Sequence, residues 1–163
     1  LVRVGGVPPR GGEERGVDVH KQTPGRKRHL VVDVLGLVLL VVVHSASIQD
    51  GAGGLLTLQK LFDHIKHNLH NRWCRLKLIW ADGGYPSIID AVRQRFGWTL
   101  QIVKRSDDVK GFQVLPHRWV VERTFGWLGR YRRLARDYEH TTLSSESMVY
   151  IASSRRMLKM LAT

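Results

Sequence analysis

The feature that most limits how this chain can fold is Leu37 to Val43, seven consecutive apolar residues. The run is far short of the ~20 residues that cross a bilayer. It is also too uniformly apolar for a strand with one wet face, so it reads as a central strand covered on both sides. A second Val-rich run, His29 to Val34, precedes it across Leu35-Gly36. Two such runs joined by a short Gly-containing link predict a β-hairpin.

The rest of the chain supplies the covering layers. Leu55, Leu58, Phe62, Ile65 and Leu69 recur on one helical face, with Asp50 at its start and the Asn68–Asn71 region at its end. Leu76 to Asp82 alternates as a strand, placing Leu76, Leu78, Trp80 and Asp82 on one face. Gly83-Gly84 end it, and Pro86 opens a short helix using Ile88, Ile89, Val92 and Phe96, closed by Gly97. Trp98 to Lys104 alternates again, followed by a polar loop from Ser106 to Lys110. His117 to Arg136 reads as one helix, with Val121, Phe125, Leu128 and Leu134 or Ala135 as its buried stripe. A last helix from Ser144 or Ser145 buries Met148, Ile151, Ala152, Leu158 and Leu161. Hairpin, helix, strand, helix, strand, helix, helix is an α/β layered domain with a mixed sheet. Residues 1–28, broken by Gly and Pro, read as an irregular basic arm; residues 29–163 read as the folded domain.

Charge narrows the function. With 26 Lys and Arg against 14 Asp and Glu, the net charge is +12, which makes a polyanion the default partner. The basic residues cluster at Lys21 with Arg26-Lys27-Arg28 and along Arg118 to Arg136, where Trp119, Trp127 and Tyr131 are interleaved. Phosphate contact with aromatic packing is the natural reading of the second cluster. The single cysteine, Cys74, excludes a disulfide framework and a Cys-built zinc site, and fits a reducing compartment.

Two carboxylates carry the candidate chemistry. Asp82 ends an apolar strand before two glycines, where α/β sheets place ligands, and where an Asp can equally cap the next helix. Glu122 shares a helical face with Arg118, Gly126 and Gly129. Two interior glycines cost about 1 kcal/mol each against Ala; close approach of a partner or tight helix packing would account for them. Together the carboxylates suit Mg²⁺, which keeps several waters and needs few protein ligands. His64, His67 and His70 fall on one side of a helix and could bind metal, but no carboxylate or Cys lies nearby in sequence except Asp63, which points elsewhere.

Four ordered blocks are more specific than any of these features. Gly25-Arg-Lys-Arg-His-Leu-Val-Val-Asp-Val-Leu-Gly-Leu37, His44-Ser-Ala-Ser-Ile-Gln-Asp50, Trp80-Ala-Asp-Gly-Gly-Tyr85 and Arg118 to Leu134 resemble the DDE transposases of bacterial insertion sequences, in the group of families four and five. The resemblance implies an RNase H-like mixed sheet flanked by helices. It implies cleavage and transfer of DNA strands at insertion-sequence ends, with three carboxylates holding Mg²⁺ or Mn²⁺. Asp82 matches the family's second Asp, Glu122 its Glu, and Arg118 the Arg of the Tyr-Arg-Glu-Lys signature. Leu115 stands at the Tyr position and Gly129 at the Lys position, beside Arg130. Arg26, Lys27, Arg28, Arg118, Arg123, Arg130, Arg132 and Arg133 become the expected DNA contacts. A bacterial cytoplasmic, nucleoid-associated protein acting as a homodimer in a synaptic complex is also implied. No residue matches the first catalytic Asp, whose strand would precede or overlap Leu1-Val2-Arg3; Asp18 and Asp33 are weak substitutes. The chain starts with Leu rather than Met, so the expectation is a catalytic domain whose first strand is cut away and which is inactive alone. The alternative is a non-catalytic DNA-binding remnant.

Overall fold

The computed structural model describes residues 2–7, 12–19, 22–68, 76–103 and 118–162. Among the described residues, six strands and five α-helices build a mixed sheet with a helical layer on each face. The strands are β1 (Val2–Val7), β2 (Gly16–Asp18), β3 (Thr23–Val32), β4 (Val38–Ser45), β5 (Leu78–Ala81) and β6 (Thr99–Ile102). The helices are α1 (Asp50–Asn68), α2 (Ile89–Phe96, after a 3-10 turn at Pro86–Ile88), α3 (Arg118–Gly129), α4 (Arg132–Ala135) and α5 (Thr142–Leu161).

The hairpin is β3 and β4, antiparallel from Arg26↔Ser45 to Val32↔Val38. Its turn is held by Asp33, whose Oδ1 accepts the N–H groups of Leu35 (2.9 Å) and Leu37 (2.8 Å). Gly36 occupies the left-handed region at φ 84°, and a Cβ there would lie 2.7 Å from Thr124 Oγ1. β1 pairs antiparallel with β3 and parallel with β5, which pairs parallel with β6. β2 pairs with the first three residues of β3.

Alternation along β3 sends side chains into two cores. Val31 joins Leu58, Leu61, Ile79, Ala81, Val92, Phe96 and Leu100 under α1 and α2. Leu30 and Val32 join Val41, Val43, Val121, Leu128, Leu134 and Val149 under α3, α4 and α5. The mixed α/β layering is therefore as expected.

Several expectations change. The irregular arm contains β1, β2 and the start of β3, and the boundary set between Arg28 and His29 falls inside β3. The sheet does not lack a strand beside β5: Val2–Val7 fills that place, between β3 and β5. β4 is covered on both faces but is not central, since β3 is its one strand partner among the described residues. The outer edge of β4 is covered by α5 instead. The Val41 N–H donates to Tyr150 Oη (3.2 Å) and the Val43 N–H to Glu146 Oε1 (2.8 Å).

The helix expected over His117 to Arg136 is broken at Arg130-Tyr131 into α3 and α4, and Leu134 rather than Ala135 is buried. α5 is rotated from its expected face. Ser145, Val149, Ala152 and Ser153 are buried, while Ile151, Leu158 and Leu161 are exposed. Small side chains at Ser145, Ala152 and Ser153 allow a close approach, and Ser145 Oγ finds a buried acceptor in Asp137 at 3.1 Å. Leu69, Lys104 and the Ser106–Lys110 loop lie outside the described residues.

Candidate functional site

Asp82 follows β5, which lies between β1 and β6. Ile79 and Ala81 point into the α1–α2 core. Leu78 and Trp80 take the opposite face and line an apolar hollow of 220 Å³ with Val120 of α3. Period-two alternation puts Asp82 on that α3 side. Its carboxylate is half-buried, and Oδ1 accepts the Gly84 N–H at 3.1 Å. Gly83 has open space where a Cβ would stand. Asp82 thus closes a local turn and does not cap a helix; no side chain caps the Pro86 turn or α2.

Asp50, read from sequence only as a helix start, is the neighbour that sequence reasoning missed. A Cβ on Gly84 would meet Asp82 Oδ1 at 3.4 Å and Asp50 Oδ2 at 3.6 Å. Asp50 Oδ1 pairs with Lys27 Nζ at 2.9 Å, and the same ammonium reaches Asp18 at 3.3 Å. Only the fold brings Asp18, Lys27 and Asp50 together, so no local sequence signal marks them.

Glu122 is half-buried on α3. Below it on the helix, Gly126 and Gly129 meet nothing among the described residues within 4 Å of an added Cβ. Tight packing inside the described chain therefore does not explain these glycines. Asp82 and α3 share one side of the sheet, but the described residues form no group of three His, Cys, Asp or Glu placed to hold a metal ion. That includes the histidines of α1: His64 and His67 are exposed, and His70 lies outside the described residues. Carboxylate oxygens are the right donors for Mg²⁺ or Mn²⁺. As placed, however, the described residues do not assemble a complete site for either.

The basic residues divide sharply. Arg26, Lys27 and Arg28, expected along a DNA path, are interior at 0%, 4% and 4% exposure. Arg26 donates to the carbonyls of Glu13 (Nε, 2.8 Å), Glu139 (3.0 Å) and His140 (2.6 Å) and pairs with Asp137. Arg28 donates to the Leu134 carbonyl at 2.9 Å, and burial lowers its pKa against the pull of Asp137. These three residues tie the 12–28 segment to the 134–140 segment and α1, and their surfaces are not free for phosphate.

Arg123 lies 4.2 Å from the Trp119 ring and 4.6 Å from the Trp127 ring, and donates to the Leu35 carbonyl at 3.0 Å. It fastens α3 to the hairpin turn, beside the Thr124 bond to the Gly36 carbonyl (2.8 Å). Arg118 opens α3, and its side chain lies outside the described residues. Arg130, Arg132, Arg133 and Arg136 are exposed. Arg133 Nε donates to Glu139 Oε1 at 2.6 Å, a bond that raises its pKa.

A sheet with Asp82 beyond its fifth strand and a Glu122-bearing helix on one face describes a domain with a definite kinship. The family model of the transposase DDE domain matches residues 2–153, and the chain belongs to that family. It is also 35% identical, over 71% of its length, to a Burkholderia cepacia protein whose assigned name is transposase for insertion sequence element IS402. The chain spans 54% of that relative's length. No solved structure matches it. Transposases of this family act on DNA and are generally dependent on divalent metal ions. No helix among the described residues is long and apolar enough to cross a membrane.

Proposed function

We propose that this chain is an RNase H-like transposase domain that engages DNA along the arginine-bearing side of α3 and α4 but does not itself complete metal-dependent strand cleavage. One observation carries the second half. β1 lies beside β5 with Val2 paired to Ala81, so the strand next to Asp82 brings Arg3 to the level of that carboxylate. β1 reads Val-Arg-Val-Gly-Gly-Val and holds no acid. Asp82 and Glu122 are two carboxylates of a set that needs a third, and Asp33 is spent on its own turn. Asp18 is taken up by Lys27.

DNA contact is supported by the exposed guanidiniums of Arg130, Arg132 and Arg136, by the open Gly126–Gly129 face, and by the net charge of +12. Such contacts release counterions, so binding weakens steeply with salt. Two copies assembled on paired DNA ends and a nucleoid location follow from the same reading.

A nicking assay on supercoiled DNA with Mg²⁺ or Mn²⁺ tests it. The expected result is salt-sensitive binding that survives Glu122→Gln, without nicking. Robust nicking abolished by Asp82→Ala would overturn the cleavage half. Absence of DNA binding at low salt would overturn the DNA half.

A further inference from the structure

The last helix carries a basic surface that the α3 and α4 arginines do not account for. Arg155, Arg156 and Lys159 of α5 face Trp127, Arg130 and Tyr131 across a groove of 340 Å³. Its described lining holds four basic side chains, two aromatic rings and no acid. The Arg156 guanidinium lies over the Trp127 ring, and Arg123 occupies the same ring at 4.6 Å. Arg155 stands 5.7 Å from the Tyr131 ring.

Two physical points follow. Like charges gathered around one groove repel, and an anion entering it relieves that repulsion. Burial first, and Arg123 second, lower the Arg156 pKa, in keeping with a crowded cation. Moreover, Trp127 is already engaged by guanidiniums, so it serves as a platform holding Arg156 and not as a stacking surface for a base. A guanidinium fixed in this way presents a rigid fork suited to phosphate oxygens. Arg155-Arg156 and Lys159 are about one turn apart along α5, or ~5.4 Å of axis, against ~3.4 Å per phosphate along one DNA strand. The cations are therefore spread for a chain of phosphates more than for a single ion.

We propose that this groove, at the C-terminal end of α3, is a second phosphodiester-backbone site in which Arg130, Arg155 and Arg156 hold the DNA flanking the Asp82–Glu122 region. The site rests on the DNA-binding reading above and assigns to α5 a role outside the carboxylate set.

The test is the salt dependence of binding of the 163-residue chain to a fluorescent DNA duplex. Each phosphate contact contributes a slope of about 0.9 in log K against log salt. The paired substitution Arg155→Gln with Arg156→Gln should lower the slope by about 1.8 and weaken binding at least about tenfold in ~0.1 M salt. Arg155→Lys with Arg156→Lys should keep the slope. Arg155→Gln alone leaves the Arg156–Trp127 contact intact and should lower the slope by about 0.9, which guards against misfolding of the α5 pair. Wild-type slopes in both Gln variants would overturn the groove and leave the DNA-binding reading standing. Failure of the wild-type chain to bind any duplex would overturn both.

Discussion

His29 and His44 meet under α1, with His44 Nε2 2.8 Å from His29 Nδ1 and His29 Nε2 3.3 Å from the Asp50 carbonyl. Gly53 makes the contact possible: a Cβ there would lie 2.5 Å from His44 Nε2. Burial above all, then the neighbouring His44, depresses His29 to about 3, and burial also lowers His44. Both rings are thus neutral in the fold, while in the unfolded chain they take up protons near pH 6.5. Stability is then fully present above that pH. It falls as the medium is acidified from about 6.5 toward 3, by up to about 1.4 kcal/mol per pH unit from His29, with a further contribution of the same sign from His44. Urea midpoints between pH 8 and 4 should show this fall, and His29→Gln should flatten it; an equal fall in the variant would show that other groups cause it. Arg26 is the second telling residue. Replacing it with Met removes one of the two guanidiniums paired with buried Asp137 and a donor from three backbone carbonyls, and should cost about 3–5 kcal/mol, read by chemical denaturation. A neutral outcome would mean that Arg28, the Ser145 hydroxyl and the Glu139 N–H satisfy Asp137 unaided.

Among elements, β4 and α5 act as one unit. Glu146 and Tyr150 answer outward N–H groups of a strand edge that would otherwise be open to another chain. Tyr150→Phe leaves the Val41 N–H without its acceptor and should cost about 1–3 kcal/mol. Glu146→Ala should cost a similar amount and promote concentration-dependent aggregation, visible by light scattering. α3 offers the opposite case. No described residue contacts the position of a Cβ on Gly126, so Gly126→Ala should stabilise the helix by up to about 1 kcal/mol. If this face receives DNA, the same substitution should weaken duplex binding while the melting temperature rises. Unchanged binding would detach the glycine from DNA contact.

For the whole molecule, the distribution of charge matters more than its total. Arg26, Lys27 and Arg28 count toward the +12 but are internal struts. Neutralising them should unfold the chain, as seen by circular dichroism, before it changes the salt slope of DNA binding. The exposed Arg130, Arg132, Arg136 and Arg155 should behave the other way. Much of this was legible in the chain. The hairpin, α1, the Pro86 start and Gly97 stop around α2, and β6 are written in local periodicity and turn chemistry, which depend on neighbouring residues only. The four sequence blocks marked the family, and Asp82 and Glu122 were visible as polar residues placed against an apolar pattern. The basic run at 26–28 misled because an arginine's sequence neighbours do not reveal a distant acceptor: here Asp137 and the carbonyls of residues 134–140 supply it. Likewise the edge position of β4, the turned face of α5, the strand at Val2–Val7 and the approach of Asp50 to Asp82 all rest on contacts between remote segments. The sequence by itself determined the hairpin, α1, β5, α2 and β6 and the family they belong to, because those rest on short-range patterns. Only the tertiary structure decided which cations face solvent, because burial is set by whatever packs across from each side chain.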